Sequence, residues 1–318
     1  RSEKIRIHLE QTRELGALKL DQEIDSLPEE TRDFVNSINK ALAMTASKDI
    51  TLYVHGAVSN FYQVAAQAAQ FQHFLGENQV ILLFSWPTSE NPFFYGRDVE
   101  NATGSAPHFS RLLEFLARYT AAEHINILCY SAGAKVVSNG LHRLGKKHAD
   151  ETIYDANKML KWGMLYFAAP DISLKTFVEQ LPVFGRAARN ITVAINMSDL
   201  VLKMANIRHG VSRLGRPDIE ELSEEETKMI LAASKGSVFD IINIHPASLP
   251  LLNPGSHDFW FSHPWVSSDV MVHLFFHAGP SERGLVPRIT ESGGRVWDFP
   301  QDYPEKVVPA VKWLQGSE

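Results

Sequence analysis

A single cysteine occurs in the 318 residues, so no intramolecular disulfide can form. Long apolar runs are missing as well, and none approaches the ~18–20 residues of a membrane-spanning helix. Basic residues are not in excess. Lys and Arg number 31 against 37 Asp and Glu, the formal net charge is −6, and the cations form no cluster. That balance argues against a nucleic-acid partner. Gly-x-Gly-x-x-Gly and the P-loop pattern are absent, which removes support for nucleotide binding. Metal-ligand spacing is almost absent. His273 and His277 stand four apart on an expected helix, but no Glu follows His273 as the metalloprotease motif requires, and no third ligand is evident. Neither a metal nor a cofactor is therefore expected. The chain begins at Arg1 rather than Met, so removal of a leader or anchor stays open. Localisation is left unassigned between the cytoplasm, the working expectation, and export.

What is present is an ordinary globular composition, 44% hydrophobic and 21% charged, in a chain long enough for one large core. Residues 1–48 read as a charged helical segment packed on a main domain spanning 49–318. Ser26-Leu27-Pro28-Glu29 has the form of a capping box, and Phe34, Val35, Ile38 and Leu42 follow at helical spacing. Beyond residue 49, apolar runs at 50–54, 80–84, 125–128, 162–167, 191–195 and 238–244 alternate with amphipathic stretches near 61–75, 105–121, 133–145, 172–181 and 200–208. The runs are nearly continuously apolar, as strands of a parallel sheet covered on both faces must be. The regular strand–helix order predicts a doubly wound α/β fold with helices on both faces. The acidic stretch 213–226 reads as a solvated loop ending in a second capping box, Ser223-x-x-Glu226.

Cys129-Tyr130-Ser131-Ala132-Gly133 lies between the run at 125–128 and a helical stretch. Strand, tight turn, serine, helix is the setting of a nucleophile elbow, where small neighbours are needed because two backbones pass close together. Gly133 and the small Cys129 meet that need; the bland alternative is a serine that merely caps a helix. A serine hydroxyl needs a base within hydrogen-bond reach, and the base needs an orienting acid. Asp199 follows the second strand after the elbow and is the expected acid. Asp171, one strand earlier, is its rival, and either one is also placed to cap a helix. His257, in a Gly-containing loop after the last apolar run, is the expected base, with His245 and His263 as competitors. The oxyanion of an acyl-transfer intermediate needs preorganised N–H donors. The amides of Ala132 and of Ala57, in Val54-His55-Gly56-Ala57, are the candidates, and His55 is read as a support for that loop. Tyr130, Trp86, Phe259 and Trp260 are candidates to line a substrate pocket, with core packing as the alternative for any single ring.

Several stretches together resemble a bacterial α/β-hydrolase family of unknown function within the esterase- and lipase-like serine hydrolases. They are Leu52-Tyr53-Val54-His55-Gly56, Phe84-Ser85-Trp86-Pro87, Tyr95-Gly96-Arg97-Asp98, the elbow, Ala168-Ala169-Pro170-Asp171-Ile172, Ser256-His257-Asp258-Phe259 and Pro264-Trp265-Val266-Ser267-Ser268-Asp269. The resemblance covers roughly residues 50–305 and implies the α/β-hydrolase fold and a triad of Ser131, Asp199 and His257. The expected activity is cleavage of a small-molecule or lipid-like carboxylic ester through an acyl-enzyme. Acyl transfer or thioester cleavage at the same site, or a binding module without turnover, are the alternatives.

Overall fold

The computed structural model describes residues 12–236 and 238–316. The first eleven residues of the expected N-terminal helical segment lie outside that span. Residues 12–23 carry no helix, which departs from the helical reading of 1–48. Ser26 falls in a short 3-10 turn, and helix α1 (Glu29–Met44) opens from Pro28, without a side-chain cap. Proline already fixes the helical entry, and its carbonyl takes the Thr31 and Arg32 N–H groups.

Eight strands form one sheet in the order β2-β1-β3-β4-β5-β6-β8-β7. They are β1 (Ile50–Val54), β2 (Val80–Phe84), β3 (Ile125–Tyr130), β4 (Trp162–Ala168), β5 (Asn190–Ile195), β6 (Phe239–Asn243), β7 (Val286–Ile289) and β8 (Arg295–Asp298). Every pairing is parallel except β7–β8. That antiparallel hairpin carries no hydrophobic signal in the sequence, because β7 is exposed along its length and contains Pro287. An edge strand tolerates proline, since its outward N–H has no ladder partner to lose.

The helices that follow α1 are α2 (Phe61–Phe74), α3 (Tyr95–Tyr119), α4 (Gly133–Lys147), α5 (Ile153–Leu160) and α6 (Leu174–Gly185). They continue with α7 (Leu200–His209), α8 (Glu224–Lys235), α9 (Phe259–Ser262), α10 (Pro264–Phe276) and α11 (Tyr303–Gly316). Alternate strand residues feed two cores, one on each face of the sheet. Ile50, Leu52 and Val54 pack with α1, α3, α4 and α6, whereas Tyr53, Tyr166 and Ile242 pack with α2, α9, α10 and α11. Because β1 to β6 are parallel, all their carboxyl ends open on one rim of the sheet. No helix among the described residues is long and apolar enough to cross a membrane.

Candidate active site

Ser131 follows β3 directly and has φ 51°, a left-handed conformation that a residue with a Cβ adopts only under constraint. The constraint is visible. Ser131 N–H donates to the Ala168 carbonyl, and the Ser131 carbonyl accepts from Ala134 and Asp171, each at 3.0 Å. The end of β4 therefore holds the turn from one side and α4 from the other. A Cβ at Gly133 would lie 2.5 Å from the His55 carbonyl oxygen and 2.6 Å from that of Val54, so only glycine lets α4 start this close to β1. Cys129 is fully buried at the tight end of β3, and burial pushes its thiol pKa up.

His257 Nε2 lies 2.7 Å from Ser131 Oγ, and its Nδ1 lies 2.6 Å from Asp199 Oδ2. One neutral tautomer satisfies both contacts: Nδ1–H donates to the carboxylate, and Nε2 accepts from the hydroxyl. Asp199 is fully buried and is also the N-cap of α7, its Oδ1 accepting from Leu202 N–H at 2.9 Å. One carboxylate oxygen faces the imidazole and the other caps the helix, so both contacts are made at once. His245 is exposed and accepts from Ala247 N–H, and His263 hydrogen-bonds the Pro250 carbonyl; neither ring is hydrogen-bonded to Ser131.

The loop after β1 runs against the serine: a Cβ at Gly56 would come 2.9 Å from Ser131 Cβ. Among the described residues, no protein acceptor takes the amides of Ala57 and Ala132. His55 is buried, and burial lowers its pKa, so the ring is neutral. It contacts the Gly56 carbonyl through Nδ1 and accepts the Trp86 N–H at Nε2, while the Trp86 indole stacks on it and donates to its carbonyl. A further support, Asp98, has no counterpart among the expected site residues. It is fully buried near the start of α3, and its oxygens accept Val58 N–H at 3.0 Å and Ser89 N–H at 2.8 Å. One carboxylate thereby ties the loop after β1 to the loop after β2. Val58 itself is held at φ 54°.

Asp171 sits beneath the elbow in a buried ionic cluster. Lys135 Nζ lies 3.0 Å from Oδ2, Arg213 Nε lies 3.2 Å from Oδ1, and the Tyr95 hydroxyl donates to Oδ2. Burial raises Asp171 to about 7, against the pull of Arg213 and His257, and burial with Arg213 nearby drives Lys135 down. Asp171 thus braces the turn through its backbone and side chain and has no hydrogen bond to His257. Nothing in the sequence brings Lys135, Arg213 or Tyr95 to one carboxylate before the fold is known.

Of the four rings expected to line a pocket, Trp86, Phe259 and Trp260 are buried in the two cores, and Trp260 also borders a small cavity with Phe71, Phe74 and Phe261. Tyr130 is part-exposed, with its ring 5.2 Å from that of His257 and 6.2 Å from Phe261. An apolar cavity of about 220 Å³ between β5, β6 and α8 includes none of Ser131, Asp199 or His257 in its wall. At the opposite end of the sheet, Asp49, His124 and His277 come together. Asp49 accepts from His124 backbone and ring, from Asn126 and from His277, while Arg189 donates to His124 Nε2. Arg189 leaves the imidazole proton on Nδ1, facing Asp49, so the donor set fits a hydrogen-bonded staple better than a cation site.

A family model described as an alpha/beta hydrolase of unknown function (DUF900) matches residues 30–270. No curated protein matches the sequence. Among solved structures, the fold is similar to a lipase-esterase related protein from Clostridium acetobutylicum ATCC 824, at 10% identity and a TM-score of 0.31, over 68% of this chain and 90% of that one. A likeness that weak says nothing about activity.

Proposed function

The chain belongs to the family of alpha/beta hydrolases of unknown function, and from that premise we propose that it is a serine hydrolase acting on carboxylic esters. One observation carries the reading: an unbroken chain of contacts at 2.6 and 2.7 Å from Asp199 through His257 to the hydroxyl of an elbow serine. Ser131 Oγ attacks the ester carbonyl as its proton passes to His257 Nε2. The charge that develops on the imidazolium faces the buried Asp199 carboxylate, and the oxyanion faces the amides of Ala57 and Ala132 at the start of α4. The imidazolium proton then goes to the departing alkoxide, which leaves as alcohol, and an acyl-serine remains. Water, deprotonated by the same nitrogen, attacks that ester and releases the acid. No cofactor enters these steps.

A fluorophosphonate probe tests the reading. Wild type is expected to be labelled covalently, and Ser131→Ala and His257→Ala are expected to be silent while keeping the wild-type melting profile. Folded wild-type protein that resists the probe and turns over no member of an ester panel would remove the hydrolase assignment.

A further inference from the structure

Helix α7 begins at the residue after Asp199 and buries only Leu202 and Ala205 fully among its described side chains. Its Leu200, Met204 and Ile207 recur at helical spacing and are 58%, 71% and 76% exposed. An apolar stripe on a helix normally faces a core; this one faces outward. It is continuous with the site, because Leu200 packs against Gly255, two residues from His257, and the Leu200 N–H donates to the Gly255 carbonyl. Leu251, fully exposed in the loop after β6, and Phe93, 90% exposed in the loop after β2, lie on the same rim of the sheet.

Charge identifies the occupant. The chain as a whole is acidic, at −6, yet residues 200–217 contain no Asp or Glu: α7 carries Lys203 and Arg208, and Arg216 follows it, while Arg213 is buried against Asp171 and takes no part. A helix with an apolar face and only basic charge suits an anionic lipid surface. A permanently docked protein on this rim would stand in the path to Ser131, whereas a lipid surface would bring ester to it. We propose that the Ser131 end of the molecule docks through α7 on membranes containing anionic lipid, so that its substrates are water-insoluble esters presented at that surface. The substrate half of this inference rests on the serine-hydrolase reading; the docking half does not.

Co-sedimentation with phosphatidylcholine vesicles, with and without phosphatidylglycerol, tests it. The wild-type chain is expected to partition onto the mixed vesicles, less onto pure phosphatidylcholine, and less at high salt. The combined substitutions Met204→Gln, Ile207→Gln and Leu251→Gln should weaken partition by roughly tenfold or more while leaving turnover of a soluble short-chain ester within about twofold. Lys203→Glu alone should remove part of the salt-sensitive binding. Ser131→Ala should bind vesicles as wild type does, so loss of chemistry and loss of docking are read separately. Docking is overturned if wild type stays off mixed vesicles or if the triple variant binds equally well. It is also overturned if sedimentation equilibrium shows a dimer that the triple variant dissolves, which would make a second copy the occupant.

Discussion

Asp98→Asn isolates the tie between the two loops that flank the serine. Asparagine keeps the shape of the side chain but turns one oxygen into an NH₂ group. Asp98 meets two backbone donors, Val58 N–H at 3.0 Å and Ser89 N–H at 2.8 Å, so one of them must then face another donor. A hydrogen bond to a charged acceptor contributes about 1.5–3 kcal/mol, and the site is fully buried, so water does not replace it. Taking about 2 kcal/mol as the loss, Tm should fall by roughly 3 °C for a domain of this size. The effect on rate comes through Ala57, whose amide precedes Val58. Complete loss of an oxyanion donor costs ~10²–10³ in kcat, so a displaced one should lower kcat by ~10–100-fold. KM should change little, because the donor matters most when charge has developed on the oxygen. The assay is steady-state turnover of a soluble ester beside a thermal melt. A melt shifted as expected with kcat unchanged would show that the loop clamp has no bearing on chemistry, and an unshifted melt would refute the buried hydrogen bonds themselves.

Asp199→Asn should lower kcat by ~10⁴ through the wrong imidazole tautomer, with little change in stability, because asparagine caps a helix as well as aspartate; equal activity in a single-turnover assay would assign the acid elsewhere. Gly133→Ala should destabilise by ~1–3 kcal/mol in urea melts and slow fluorophosphonate labelling, since its Cβ would come within 2.6 Å of two carbonyl oxygens and force α4 away from β1. Asp171 is raised from 3.8 to about 7 in the fold. A raised carboxyl contributes stability that is full below its unfolded pKa and is lost as pH rises through the folded value. Relative to Asp171→Asn, wild type should therefore lose stability between about pH 4 and about pH 7, as denaturant melts across that range would reveal; parallel curves would contradict the buried, raised carboxyl.

Strands β1 to β6 were legible because each is an apolar run too continuous for a surface strand, and the sheet buries both of its faces; β8, parallel to β6, was not, being only Arg295–Asp298. Ser131 was picked out by its elbow motif, and Asp199 and His257 by their places after later strands, and the fold puts those three side chains in hydrogen-bond reach. Asp98 was not, for a local reason. The amphipathic stretch was expected near 105–121, whereas the helix starts ten residues earlier, at Tyr95, and runs through Gly96, Gly104 and Pro107. Its packing against α4 and α5 overrides the low helix propensity of those residues, and its first turn delivers the carboxylate. Trp86, Phe259 and Trp260 pose a different ambiguity, since all three are buried in the cores. An aromatic ring beside a catalytic loop has the same sequence signature whether it meets substrate or fills the space behind it. The cluster around Asp171 was invisible because its members come from α3, α4 and the segment after α7.

The shared carboxylate of Asp199 makes α7 a lever. Its first turn hangs from one oxygen and the imidazole from the other, so a small tilt of the helix against whatever it rests on is transmitted to the ring without any intervening joint. In the proposed docking, the anchoring helix and the proposed base thus share a single side chain.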